Sequence, residues 1–150
     1  MGFNNHGSEE ISNRIEKNKP KGVLGVNIGP NKNTIDRIED YLQCFRKFHN
    51  LADYITINIS SPNTENLRDF HDKEELKELL NAINNEKKSF NSKVPTAVKL
   101  SPDLNQNQIE SVSEILLENK IEVAIISNST DKNRENLINI NLSLIHISEP

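Results

Sequence analysis

A chain of 150 residues can bury one modest core, so a single domain is expected. Its 18 basic side chains are outnumbered by 22 acidic ones, giving a net charge of −4, and the absence of a long basic block argues against a nucleic-acid surface. The single cysteine, Cys44, rules out an intramolecular disulfide framework and fits a reducing compartment, while His6, His49, His71 and His146 lack metal-ligand spacing.

No apolar run approaches the ~20 residues that a membrane span requires. The opening MGFNNH has neither the cationic start nor the apolar middle of a signal peptide. A helix is expected near residues 8–18, then a β-branched strand over 22–28 (GVLGVNI) closed by Gly29 and Pro30. A helical stripe follows at Ile35, Ile38, Leu42 and Phe45, with Thr34 placed as its N-cap and Cys44 at a packing position. The next strand, 54–59, alternates Ile55, Ile57 and Ile59 with Tyr54, Thr56 and Asn58.

A long polar loop leads to a helix marked by Leu76, Leu79, Leu80 and Ile83, whose first turn holds Glu74 and Glu75 as the helix dipole favours. A strand over 95–100 ends at Ser101-Pro102. Asp103 or Asn105 then caps a helix with apolar positions Ile109, Val112 and Leu116, and a last strand, 123–126, runs into Ser127-Asn128-Ser129-Thr130. Residues 142–150 (LSLIHISEP) follow an Asn-rich tract with neither turn chemistry nor helical period. They look like translated adapter read-through, which leaves 1–141 as the domain.

Strands alternating with helices imply βαβ units and a parallel sheet, either doubly wound or part of a (β/α) barrel. The polar alternation in 54–59 favours the barrel: isoleucines can face the helices while Thr56 and Asn58 face a ligand at the mouth. About four β/α units cannot close an eight-stranded TIM-type barrel, so a fragment of one is the expected fold class.

Chemistry concentrates where strands end. In NISSPNT, residues 58–64, Asn58 and Asn63 offer donors and acceptors without charge, suited to the carbonyls and ring nitrogens of a planar heterocycle. Pro62 stiffens that loop, and Ser61 can act as a base only if its surroundings help it. The plainer reading is a turn held by Asx and hydroxyl bonds. Lys99 interrupts an apolar strand, so it must snorkel, pair or meet an anion, unless it lies exposed on an edge strand. Asn27 ends its strand as a ligand or a turn cap. GVNIG is not a dinucleotide fingerprint, and no P-loop occurs.

The pieces MGFNNHG, GVLGVNIG with Asn31-Lys32, ADYITINISSPNTENLR, AVKLSPDLN and IISNST, spread over about residues 1–140, resemble class 2 dihydroorotate dehydrogenases, the quinone-linked flavoproteins of pyrimidine synthesis. The resemblance implies an FMN-binding (β/α) barrel in which Asn27, Asn58, Lys99 and Ser127 contact FMN. It also implies that Asn58, Asn63, Asn128 and Ser129 hold dihydroorotate or orotate, with Met1, Gly2 and Phe3 ending a further substrate-contacting segment. Ser61 matches the catalytic base, and serine rather than cysteine there assigns class 2. Quinone reoxidises the flavin in that family. Its enzymes are peripheral to a membrane, the mitochondrial inner membrane in eukaryotes or the cytoplasmic membrane in bacteria, through a segment that this sequence lacks.

Against the family pattern, Pro30 stands where lysine is usual, and Ser127 and Ser129 stand where threonines are usual. The serines keep the hydroxyl. The amino-terminal strands and the glycine-rich loops that hold the FMN phosphate are also absent, so the expectation is a fragment inactive by itself. Two rival expectations are a non-catalytic α/β module and another FMN-dependent barrel acting on a pyrimidine.

Overall fold

The computed structural model describes residues 5–31, 34–61, 67–128 and 130. The expected tail at 142–150 lies outside them, as do Met1, Gly2, Phe3, Asn63 and Ser129. Element order is α1 (Ser8–Lys17), β1 (Gly25–Ile28), α2 (Arg37–Phe48), β2 (Tyr54–Asn58), a 3-10 turn (Leu67–His71), α3 (Lys73–Ser89), β3 (Thr96–Lys99), α4 (Gln106–Glu118) and β4 (Val123–Ile125). The four strands form one parallel sheet in sequential order, β1-β2-β3-β4. Sequential order with right-handed crossovers puts every connecting helix on one face, as a barrel requires; a doubly wound sheet reverses direction partway.

Register fixes the two faces. Ile28, Ile57 and Val98 share one row, and with Ile55, Ile59 and Leu100 they join the apolar cluster beneath the helices. Asn27, Thr56 and Ala97 form the adjacent row, and Asn58 with Lys99 a row beyond it, so these point to the opposite face. That is the alternation the isoleucine pattern predicts. On this opposite face Gly25 pairs with Tyr54, and a Cβ at Gly25 would overlap the Tyr54 ring.

The helices pack in a row, α1 on α2, α2 on α3 and α3 on α4. Leu76, Leu79, Leu80 and Ile83 of α3 are all fully buried, each contributing about 2 kcal/mol of transfer free energy before the entropy of ordering is counted. Helix α2 starts later than its stripe suggests. Asp36 is the N-cap, accepting from the Glu39 N–H at 2.9 Å, because a carboxylate does this as well as a hydroxyl. Ile35 therefore falls outside the helix and is fully exposed, and the core face is Tyr41, Phe45 and Phe48.

In α4 the cap is Asn105, in a reciprocal box with Gln108, while Ile109 is 46% exposed and Ile115 takes its place in the core. Strand β1 begins at Gly25 rather than residue 22, because Val23 is exposed and the Leu24 N–H is taken by the Asp53 carboxylate at 2.7 Å. The polar loop after β2 contains an unpredicted 3-10 turn, anchored by buried Leu67, Phe70 and His71. Tyr41 meets Phe70 edge-on at 5.7 Å, and the Arg37 guanidinium lies 4.7 Å over the same ring.

Candidate functional site

The carboxyl ends of β2, β3 and β4 meet at one rim. The Ile59 N–H donates to the Lys99 carbonyl at 3.4 Å, Leu100 N–H to Ile125 O at 3.1 Å, and Asn128 N–H to Leu100 O at 3.1 Å. Asn58 and Lys99 are register neighbours on the face away from the helices. Asn58 is 3% exposed, and Lys99 is half-buried, its ammonium with no hydrogen bond or ion pair among the described residues. Ser61 follows Asn58 by three positions and is also buried. Ser127 is exposed, its hydroxyl donating to the Asn128 carbonyl at 3.1 Å.

Ser60 ties this rim together. Asn58 Oδ1 accepts from Ser60 N–H at 3.1 Å and from the Ser60 hydroxyl at 2.8 Å, and Asn128 Nδ2 donates to Ser60 Oγ at 3.0 Å. The chemistry fixes both carboxamides. A backbone N–H can only donate, so the Asn58 oxygen must face Ser60; the Ser60 proton goes to that oxygen, so Asn128 must turn its NH2 to Oγ. Asn58 Nδ2 is left with no described acceptor, and it is this donor edge that a ligand would meet. A further support lies beneath: the Tyr41 hydroxyl donates to the Asn58 carbonyl at 2.7 Å, and burial pushes that phenol far above its ordinary range, keeping it a donor at every working pH.

Of the expected residues, Asn58, Lys99, Ser61 and Asn128 thus share one rim. Asn27 lies on β1 beside Thr56, one row further from it, and lines a cleft of about 640 Å³ between α1, the exit of β1 and α2. Asn58 and Lys99 do not line that cleft. Ser60 and Tyr41 have no place in the expected set. The spacing of Ser60 two residues after Asn58 is an Asx-turn signal, but Tyr41 shows only as one more apolar position on a helix.

At this rim the described residues include a cation without a carboxylate. Arg68 on the 3-10 turn pairs with Asp103 at 3.3 Å and reaches the Ser60 carbonyl at 3.5 Å, whereas the Lys99 ammonium has no carboxylate among the described residues. An ammonium without a described carboxylate, on the strand next to a carboxamide donor, fits a planar ligand that carries negative charge.

Such an arrangement, on parallel strands with helices covering the other face, defines a segment of a (β/α) barrel with its site at the carboxyl rim. The chain is similar in fold to a DHODH from Eimeria tenella in complex with ferulenol, at 28% identity and a TM-score of 0.80, over 86% of this chain and 41% of that one. A ligand-free DHODH from the same organism superposes with a TM-score of 0.83 at the same identity, over 91% and 45%. The family described as dihydroorotate dehydrogenase matches residues 1–143, and the chain belongs to it. It is 41% identical over 134 residues to the dihydroorotate dehydrogenase (quinone) of Bartonella henselae, and 42% identical over 136 residues to that of Idiomarina loihiensis. Each match takes in 87% of this chain, which spans 37% and 41% of those relatives.

Proposed function

We propose that this chain forms the central β/α units, within residues 1–141, of a quinone-linked dihydroorotate dehydrogenase that oxidises dihydroorotate to orotate with FMN. The observation that carries the reading is Asn58 beside Lys99 on adjacent strands, with Asn58 locked through Ser60 to Asn128. Asn27, Asn58, Lys99 and Ser127 would hold FMN. Asn58, Asn63, Asn128 and Ser129, with Met1, Gly2 and Phe3, would hold the pyrimidine acid.

Bound FMN supplies a two-electron acceptor. The chain's own residues supply the rest. Ser61 Oγ would take a proton from one ring carbon of the substrate while its own hydroxyl proton passes to water, and a hydride would leave the neighbouring carbon for that acceptor, so that a carbon–carbon double bond forms and the substrate loses two electrons and two hydrogens. Asn58 Nδ2 would donate to an acceptor of the bound ligand, and the Lys99 ammonium would favour an anionic ring beside it. A quinone would be the final acceptor of those electrons, with the enzyme peripheral to a membrane. No described helix is long and apolar enough to span one.

The test uses an enzyme in which this segment is completed to all eight β/α units. Ser61→Ala lowers kcat by roughly 10²–10⁴-fold, as expected for loss of a positioned base, with flavin content unchanged. Turnover equal to that of the unaltered enzyme refutes the assignment.

A further inference from the structure

His71 lies on the 3-10 turn, has no role in the function proposed above, and is almost fully buried. Both of its ring nitrogens are engaged. Nδ1 stands 2.9 Å from the Arg68 carbonyl, and Nε2 stands 3.3 Å from the backbone N–H of Ser101. A carbonyl can only accept and a backbone N–H can only donate, so the proton sits on Nδ1 and Nε2 is the acceptor. A second proton, on Nε2, would face the Ser101 N–H head-on.

The two contacts bridge segments far apart in sequence. Ser101 follows Lys99 by two residues at the exit of β3, and Arg68 reaches back to the Ser60 carbonyl at the exit of β2. We propose that His71 is a positioning residue that clamps the exits of β2 and β3 together only while its ring is neutral. The proposal rests on the reading above only in calling those exits the site; the clamp itself stands or falls independently.

The surrounding charges agree. Burial drives the His71 pKa below its ordinary value, and the Arg68 guanidinium adds to that; the Arg68 carbonyl and, more weakly, the Asp72 carboxylate oppose it. Lys73 and Glu75 lie on α3, and Lys99 and Asp103 on β3 and its exit, with Asp103 occupied by Arg68. The folded-state pKa is below the unfolded one, so nothing is lost while both rings are neutral. As pH falls through the unfolded value near 6.5, the unfolded chain takes up the proton first and the folded state loses stability.

The experiment is hydrogen exchange at the Ser101 amide in the full chain, corrected for intrinsic pH dependence, with ring ¹⁵N shifts of His71 recorded alongside. Exchange should be about tenfold faster once the ring ¹⁵N shifts report a doubly protonated His71 than at pH 7.5, as for loss of one net hydrogen bond. His71→Gln, whose carbonyl takes the place of Nε2, should keep Ser101 protected and abolish the pH dependence. His71→Asn, which keeps only the Arg68 contact, should leave Ser101 fast at every pH. Equal Ser101 protection in the Gln and Asn variants, parent-chain exchange that does not change as the His71 ring takes up its second proton, or a ring proton found on Nε2 at pH 7.5 overturns the clamp. Flavin binding enters none of these readouts, so a failed clamp and a failed flavin assignment remain distinct results.

Discussion

At the scale of single residues, the site depends on groups that never face a ligand. Tyr41 supplies its hydroxyl to the Asn58 carbonyl from inside the helix layer, where no water competes for the bond. Tyr41→Phe keeps the ring packing on Phe70 but leaves that buried carbonyl short of its donor. We expect a loss of about 1–2 kcal/mol in urea unfolding, with no change in m-value. An unchanged midpoint would show that the carbonyl is satisfied without the phenol. Ser60 could be noticed from its spacing after Asn58, and its backbone N–H turns the Asn58 oxygen locally. That an Asn128 NH2 reaches Ser60 Oγ could not, because Asn128 arrives past β4, 68 residues after Ser60 in the chain.

At the scale of elements, β3 is joined to β4 by a side chain as well as by the sheet. Glu122, just before β4, accepts from the Thr96 N–H at 2.9 Å, the Thr96 hydroxyl at 2.7 Å and Lys87 Nζ at 2.9 Å. Burial works to raise its pKa, but these donors together outweigh that and hold the carboxyl below its ordinary value. A depressed folded-state pKa means stability that is complete above the unfolded value and lost as pH falls through the folded one. Glu122→Gln should therefore cost about 1 kcal/mol at pH 7, discounted because the side chain is 41% exposed, and should flatten the acid side of the stability profile below about pH 4.5. Parallel pH profiles for the two proteins would remove Glu122 from the account. The helix stripe of α3 was legible in sequence because four leucine and isoleucine positions repeat at helical spacing. The start of α2 was not: Thr34 and Asp36 are equally good caps by chemistry, and the choice went to the one that leaves Ile35 outside and brings Tyr41 under Asn58.

At the scale of the whole molecule, the described sheet is open. Among the described residues β1 and β4 each pair on one side only, and Val123 and Ile126 expose apolar surface on and just beyond β4. A flavin held by half of its rim loses the preorganisation that makes a barrel mouth bind. The 150-residue chain by itself is thus expected to bind FMN weakly or not at all, and to bind an apolar dye; saturable, one-to-one flavin absorbance on the purified chain would contradict this. The sequence by itself determined the alternation of strand and helix, the burial of the isoleucine face and the crowding of carboxamides and hydroxyls at strand ends, because these follow from periodicity and local chemistry. Only the tertiary structure decided that Lys99 lies beside Asn58, that Asn128 turns its NH2 to Ser60 and that His71 reaches Ser101. Those are contacts between segments tens of residues apart, set by strand register and by where a buried donor finds its acceptor, and no local pattern encodes them.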